Sequence, residues 1–201
     1  MAYFDDKAAG WDTSPRLAMA RAVAEAILAR IPIPDGASIV DIGAGTGSLS
    51  LLLAERADRI VAIDSSEGML AQLSSKSDPD RIRTIVWDIE SGAPDGLAGT
   101  ADYVVSMMAL HHIRDTVRFA GTCREICKPD GRIAIADLDS EDGNFHEDPS
   151  RAGVRHNGFD RDSLSGIFSS AGFTALEFRT VHTMERGSRT YPLFLMTGRR
   201  A

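Results

Sequence analysis

Short apolar runs alternate with helix-like segments from residue 38 to residue 138, and this rhythm constrains the fold more than any other feature. Residues 38–42, 59–63, 81–87, 101–106 and 132–138 read as strands, and residues 49–56, 67–75 and 116–127 as helices. Strands that alternate with helices build a parallel sheet covered on both faces. The runs IVDI, IVAI, YVVS and IAIA are apolar throughout, as buried central strands require. A further helix precedes them over 14–30. Ser14 can cap it, Pro15 suits its first turn, and Ala20, Val23, Ala24, Ile27 and Leu28 share one stripe. The tail breaks the rhythm. A helix over 162–171 is followed by strand candidates at 174–183 and 191–197, with Gly187 and Ser188 between them. Two strands joined by a short turn pair antiparallel. The expected fold is therefore α/β, a mostly parallel sheet with an antiparallel terminal hairpin.

The chain has 201 residues, 22 Lys plus Arg and 29 Asp plus Glu, for a net charge of -7. That length suits one domain. An acidic surface repels phosphate backbones, so nucleic acid is not an expected partner. A membrane is not expected either, since no apolar run approaches the roughly 18–20 residues of a span. The start, MAYFDDKAAGWD, has neither the basic nor the apolar part of a secretory signal. Cys123 and Cys127, four apart, read as reduced packing residues on one helix face. These features point to the cytoplasm.

The chemistry begins at Gly43-Ala44-Gly45-Thr46-Gly47, between a predicted strand and a predicted helix. Glycines there let the backbone turn sharply and approach a ligand closely. Asp64 ends the second strand, where a carboxylate can accept hydrogen bonds from both hydroxyls of a ribose. Asp88 ends the third and can meet an adenine amino group. Sites at three successive strand ends describe a nucleoside pocket. The dinucleotide fingerprint GxGxxG/A is incomplete, because Ser48 and Ser50 stand where its last glycine or alanine belongs.

Together these segments resemble the class I S-adenosylmethionine-dependent methyltransferases, in their small-molecule branch. VDIGAGTGSLS resembles the first motif of that family, VAIDSSEGML the second, WDIE the adenine motif and ADYVVSMMALHHIRD the fourth-strand motif. ICKPDGRIAIADL resembles the entry to the fifth strand, with Pro129-Asp130-Gly131 where the family usually has Pro-Gly-Gly. The resemblance implies a Rossmann-like seven-stranded sheet with an antiparallel last strand, in one methyltransferase domain over 1–201. It implies that Asp41, Gly43, Ala44, Gly45 and Gly47 surround the methionine part of S-adenosylmethionine. Asp64 would hold the ribose, with Ser65 and Met69 close to the adenosine. Asp88 and Ile89 would frame the adenine, and Ser106 would lie near the amino-acid end. Residues 1–13, with Trp11, resemble a lid over the bound cofactor.

Residues 139–159 form a long stretch without periodicity beyond the fifth strand, where ligands of open α/β sheets bind. It is expected to cover an acceptor pocket. His156 is the leading candidate for a catalytic polar group there, and His112 the next. His111 and His112 suit either a pocket wall or packing, and Asp137, Asp139 and Glu141 read by default as a solvated turn. Histidine and carboxylate spacing gives no metal set. The acceptor is expected to be a small molecule, since SMMALHH differs from the Asn-Pro-Pro-Tyr type associated with adenine or amide methylation. Two other readings share these features: a nicotinamide-dependent oxidoreductase, and a non-catalytic protein that binds S-adenosylmethionine. Oligomeric state is not encoded in any feature above.

Overall fold

The computed structural model describes residues 2–201. Of the predicted lid over 1–13, Met1 lies outside the described residues. The elements in chain order are α1 (Ala2–Lys7), α2 (Ser14–Arg30), β1 (Ser38–Ile42), α3 (Ser48–Leu53), β2 (Arg59–Asp64), α4 (Glu67–Ser74) and β3 (Ile82–Val86). There follow β4 (Ala101–Met107), α5 (Thr116–Ile126), β5 (Cys127–Leu138), α6 (Arg161–Ser170), β6 (Phe173–Arg186) and β7 (Arg189–Arg200). Seven strands form one sheet in the order β3-β2-β1-β4-β5-β7-β6. The first five strands pair in parallel, and β7 runs antiparallel to both β5 and β6. The order reverses between β1 and β4, so a crevice opens beyond their carboxyl ends.

Each sheet face carries its own core. Phe119, Cys123 and Ile126 of α5 and Leu164 and Phe168 of α6 pack with Val40, Ile42 and Ile133 on one face. Val23 and Ile27 of α2, Leu49 and Leu53 of α3 and Leu73 of α4 pack with Ile39, Ile60 and Tyr103 on the other. Phe168 and Phe119 are buried with ring centroids 6.4 Å apart, so truncating Phe168 to alanine should cost about 3–5 kcal/mol. No helix among the described residues is long and apolar enough to cross a membrane.

Local chemistry sets the helix starts. Ser66, Asp115 and Asp160 cap α4, α5 and α6 by accepting from the N–H groups of Met69, Arg118 and Ser163. At α2 the cap position belongs to Thr13, whose side chain makes no cap bond, and Ser14 is the first helical residue. Further features go beyond the sequence reading or differ from it. The short α1 and the 3-10 turn Ala8–Gly10 are helical because they dock on α4. The helix α3 stops at Leu53, short of 56. Cys127 pairs with Ala101 and so starts β5 early; the two cysteines therefore lie on different elements, both buried and free. Asp130, where the family usually has glycine, sits at φ 64 and forms an ion pair with Arg199; Asp tolerates that left-handed conformation better than most residues.

Candidate active site

The turn after β1 is pinned to the end of β2. The N–H groups of Gly43 and Ala44 both donate to the Ile63 carbonyl, at 2.8 and 3.0 Å. Gly43 has φ +73, and a Cβ there would stand 2.2 Å from the Ala109 Cβ, so only glycine fits. Gly45 has φ +56, and the place of its absent Cβ is open. Asp64 closes the turn: Oδ2 accepts from the Gly45 N–H and Oδ1 from the Ser66 N–H, each at 2.8 Å. Burial raises the Asp64 carboxyl above the usual range, although both N–H bonds pull it down. Asp88 is exposed and accepts from the Glu90 N–H at 2.9 Å.

One cleft of about 660 Å³ runs from these turns to the far side of the β4 end. Gly43, Ala44, Gly45, Asp64, Ser65, Met69, Asp88, Ile89, Trp11 and His112 all line it. Four predicted site residues stand elsewhere. Asp41 is buried under the turn, where the Ser50 hydroxyl donates to it at 2.6 Å, and burial pushes its carboxyl up to about 7 with the Asp64 charge adding. Gly47 starts α3, where the place of its Cβ is taken by Leu73. Ser106 is buried and donates to the Ile42 carbonyl at 2.7 Å. His156 is absent from the cleft wall, because its Nε2 is engaged by the Ile113 carbonyl at 2.8 Å. The loop histidine that faces the cleft is His146.

The N-terminal segment lines this cleft with Tyr3, Phe4, Lys7 and Trp11. Asp5 accepts from the Ser66 hydroxyl at 2.6 Å and from the Gly68 N–H at 3.0 Å. Asp12 accepts from Lys76 Nζ at 2.7 Å and from the Thr46 hydroxyl. Phe4 bridges inward, with its ring centroid 5.7 Å from Trp11 and 5.2 Å from His112.

The far end is assembled from distant segments. His111 and His112 come from the 3-10 turn after β4, His146 from the long loop, Arg16 from α2 and Arg186 from the end of β6. The loop is closed at its base, where Ser140 and Phe159 pair and Asp139 bridges Phe159. Its middle is packed through buried Phe145, which contacts Tyr191 at 5.2 Å between centroids. The expected solvated turn of acids is absent as such. Asp137 is fully buried, Asp139 pairs with Arg161, and Glu141 accepts from the Asn144 and Phe145 N–H groups.

Asp137 is the buried carboxylate behind the histidines, a setting that spacing misses. Its Oδ1 lies 2.8 Å from His111 Nδ1, and its Oδ2 accepts from the His111 N–H at 3.2 Å. Burial alone would raise this carboxyl, but the His111 ring and three hydrogen bonds hold it below the usual range. A charge-capable residue inside the apolar run IAIADL was the available signal. Burial and the neighbouring His111 push His112 down to about 3 and His146 to about 4. Both rings are therefore neutral at pH 7.

At one end the turns of β1, β2 and β3 bring Asp64, Asp88 and Glu90 to the cleft; toward the other stand Arg16, Arg151 and Arg186 together with Glu147 and Asp148, and Lys7 comes from the N-terminal segment. A ligand bearing a sulfonium and an ammonium suits the first end. The open backbone at Gly45 and the carboxylate beside it suit its ribose and amino-acid parts.

Comparison with known proteins agrees. Residues 16–177 match the family model described as a methyltransferase domain. An uncharacterized methyltransferase of Schizosaccharomyces pombe is 31% identical over 156 residues, 71% of this chain and 55% of that protein. The trans-aconitate 2-methyltransferase of Variovorax paradoxus is 32% identical over 125 residues, 61% of this chain and 47% of that one. The chain thus spans about half the length of the curated relatives it matches. Among solved structures, a chain of the complex between the Haloferax volcanii Trm112 methyltransferase activator and a methyltransferase superposes with TM-score 0.77 at 20% identity, covering 98% of this chain and 96% of that chain. The chain belongs to the methyltransferase domain family, and its fold is that of solved S-adenosylmethionine-dependent methyltransferases.

Proposed function

We propose that the chain transfers a methyl group from S-adenosylmethionine to a small-molecule acceptor held at the histidine end of the cleft. The observation that carries this reading is the single continuous cleft, which joins the acid-lined turns to the histidine end under one lid. Its volume suits small ligands, and one curated relative is named for a small acid, trans-aconitate. S-adenosylmethionine supplies an electrophilic methyl group on a sulfonium.

The protein's own residues do the rest. Asp64 binds the ribose hydroxyls, and its two backbone bonds keep both oxygens aimed at the turn. Asp88 and Ile89 frame the adenine, Ser65 and Met69 flank the adenosine, and Gly43–Gly45 border the methionine part. Asp41, Gly47 and Ser106 act from beneath by holding the turn and strand ends in place. Trp11 and Phe4 exclude water from the reacting centre. Positioning of this kind can supply roughly 7–11 kcal/mol of barrier reduction. His112 contributes a neutral imidazole to the wall of the acceptor end. A ring held near 3 is a poor proton store, so this suits acceptors that attack without losing a proton first.

Calorimetry tests the donor half. S-adenosylhomocysteine should bind and NAD should not. Asp64→Ala should weaken S-adenosylhomocysteine by about 100-fold or more, as expected for loss of two charge-assisted hydrogen bonds. Binding of NAD alone, or an unchanged affinity in Asp64→Ala, overturns the assignment. Turnover with labelled methyl donor across small-molecule acceptors separates an enzyme from a protein that only binds the donor.

A further inference from the structure

We propose that His111, His112 and His146 form a site for one divalent transition-metal ion of the zinc type, with an open coordination position facing the cleft. One ring nitrogen of each histidine lies within 4.8 Å of the other two. Imidazole suits zinc, nickel, copper and iron, and three histidines with a free fourth position are an established zinc ligand set. The closest pair already has the spacing of two ligands. His111 Nε2 and His146 Nε2 are 3.2 Å apart, and two nitrogens held at 2.0–2.1 Å from a tetrahedral ion stand about 3.3 Å apart.

The surroundings prepare these rings for a metal. With His111 Nδ1–H donating to Asp137, its Nε2 carries a lone pair directed toward His146. A carboxylate behind a histidine ligand fixes the tautomer and raises the basicity of the ring. His112 adds a buried Nδ1 with no hydrogen-bond partner, an unsatisfied group of the kind that buried sites rarely leave. His146 sits on the loop, so closing the remaining distance moves a surface segment and not the sheet. Arg16 and Arg186 also act on His146. Their charge opposes a bare dication and favours an anion on the fourth position, either hydroxide or an anionic group of the acceptor.

The test uses the full chain stripped of metal and titrated with Co²⁺. The expected result is one ion per chain, visible absorption bands of low-coordinate cobalt, and displacement by Zn²⁺. His146→Ala and His112→Ala should each abolish the bands or weaken binding at least 10-fold. Asp137→Asn, a positioning change, should weaken it about 10–100-fold. His182→Ala, on β6 away from the cluster, should bind as the parent does. Far-ultraviolet circular dichroism confirms that each variant is folded. Absence of the bands at saturating Co²⁺ overturns the proposal, as do His146→Ala and His112→Ala titrations that superimpose on the parent. A plain His111–His146 hydrogen bond is then the whole role of the pair. The readout does not involve methyl transfer, so it stands or fails apart from the donor assignment.

Discussion

The two ends of the cleft are built by opposite strategies. The end proposed to bind the donor uses three short turns that leave adjacent strands, and its groups are held by backbone hydrogen bonds within those turns. The histidine end, where the acceptor is proposed to bind, gathers side chains from positions between 16 and 186, held by one buried carboxylate and by aromatic packing. The first is local in sequence; the second is assembled over long sequence separations. A fold of this kind can keep its donor chemistry while the acceptor changes, because different parts of the chain supply the two.

The comparison can be broken most forcefully at Gly43, where the two ends touch through Ala109. Gly43→Ala forces a positive φ and an overlap with Ala109, just before the histidine turn. It should cost about 2–4 kcal/mol of stability by urea unfolding and weaken both S-adenosylhomocysteine and Co²⁺ binding. Parent-like stability would show that the ends are not mechanically joined.

The next effect is one of pH and has opposite sign at the two ends. Asp41 sits near 7 when folded against an ordinary 3.8, so the folded chain keeps a proton that the unfolded chain releases. Its contribution therefore falls as pH rises from about 4 to 7. His112 and His146 sit near 3 and 4 against an ordinary 6.5, so the unfolded chain takes up protons first. Their contribution falls as pH drops from about 6.5 toward 3–4. Asp41→Asn should raise stability at pH 8 by on the order of 1–4 kcal/mol and leave the acid limb in place. His146→Gln should flatten the acid limb only. Urea unfolding at pH 4.5, 6 and 8 checks both, and identical profiles for parent and variants would refute the burial argument.

The smallest effect belongs to the N-terminal segment proposed as a lid. Lys76 and Asp12 are both partly exposed, so Lys76→Ala should cost only about 0–1 kcal/mol. Release of S-adenosylhomocysteine, followed by stopped flow, should nonetheless become faster.

The same contrast explains what could be read from the chain beforehand. The sheet was legible because its central strands are continuous apolar runs, and the donor turns because glycines and acids fall at fixed points after them. The acceptor end was not, because nothing in local spacing relates His146 to His111. Asp137 looked like a loop acid, since burial of its partner is a tertiary fact. His156 was favoured for its polar neighbourhood, but the Ile113 carbonyl had already claimed its ring. The α1 helix escaped because six polar-rich residues have little helical tendency without α4 to dock on. The hairpin strands run longer than their apolar pattern, since ladder bonds continue through exposed Arg186, Arg189 and Thr190.

Asp5 and Asp12 fasten the N-terminal segment to the donor side alone, on Ser66, Gly68, Thr46 and Lys76. The opposite mouth is curtained by a different piece of chain, whose base is zipped between Asp139 and Phe159. The two coverings are thus fastened by separate sets of contacts. Unlatching one breaks carboxylate ties, whereas parting the other disturbs Phe145 and its packing on Tyr191, so a substitution at one fastening is expected to leave the other fastening in place.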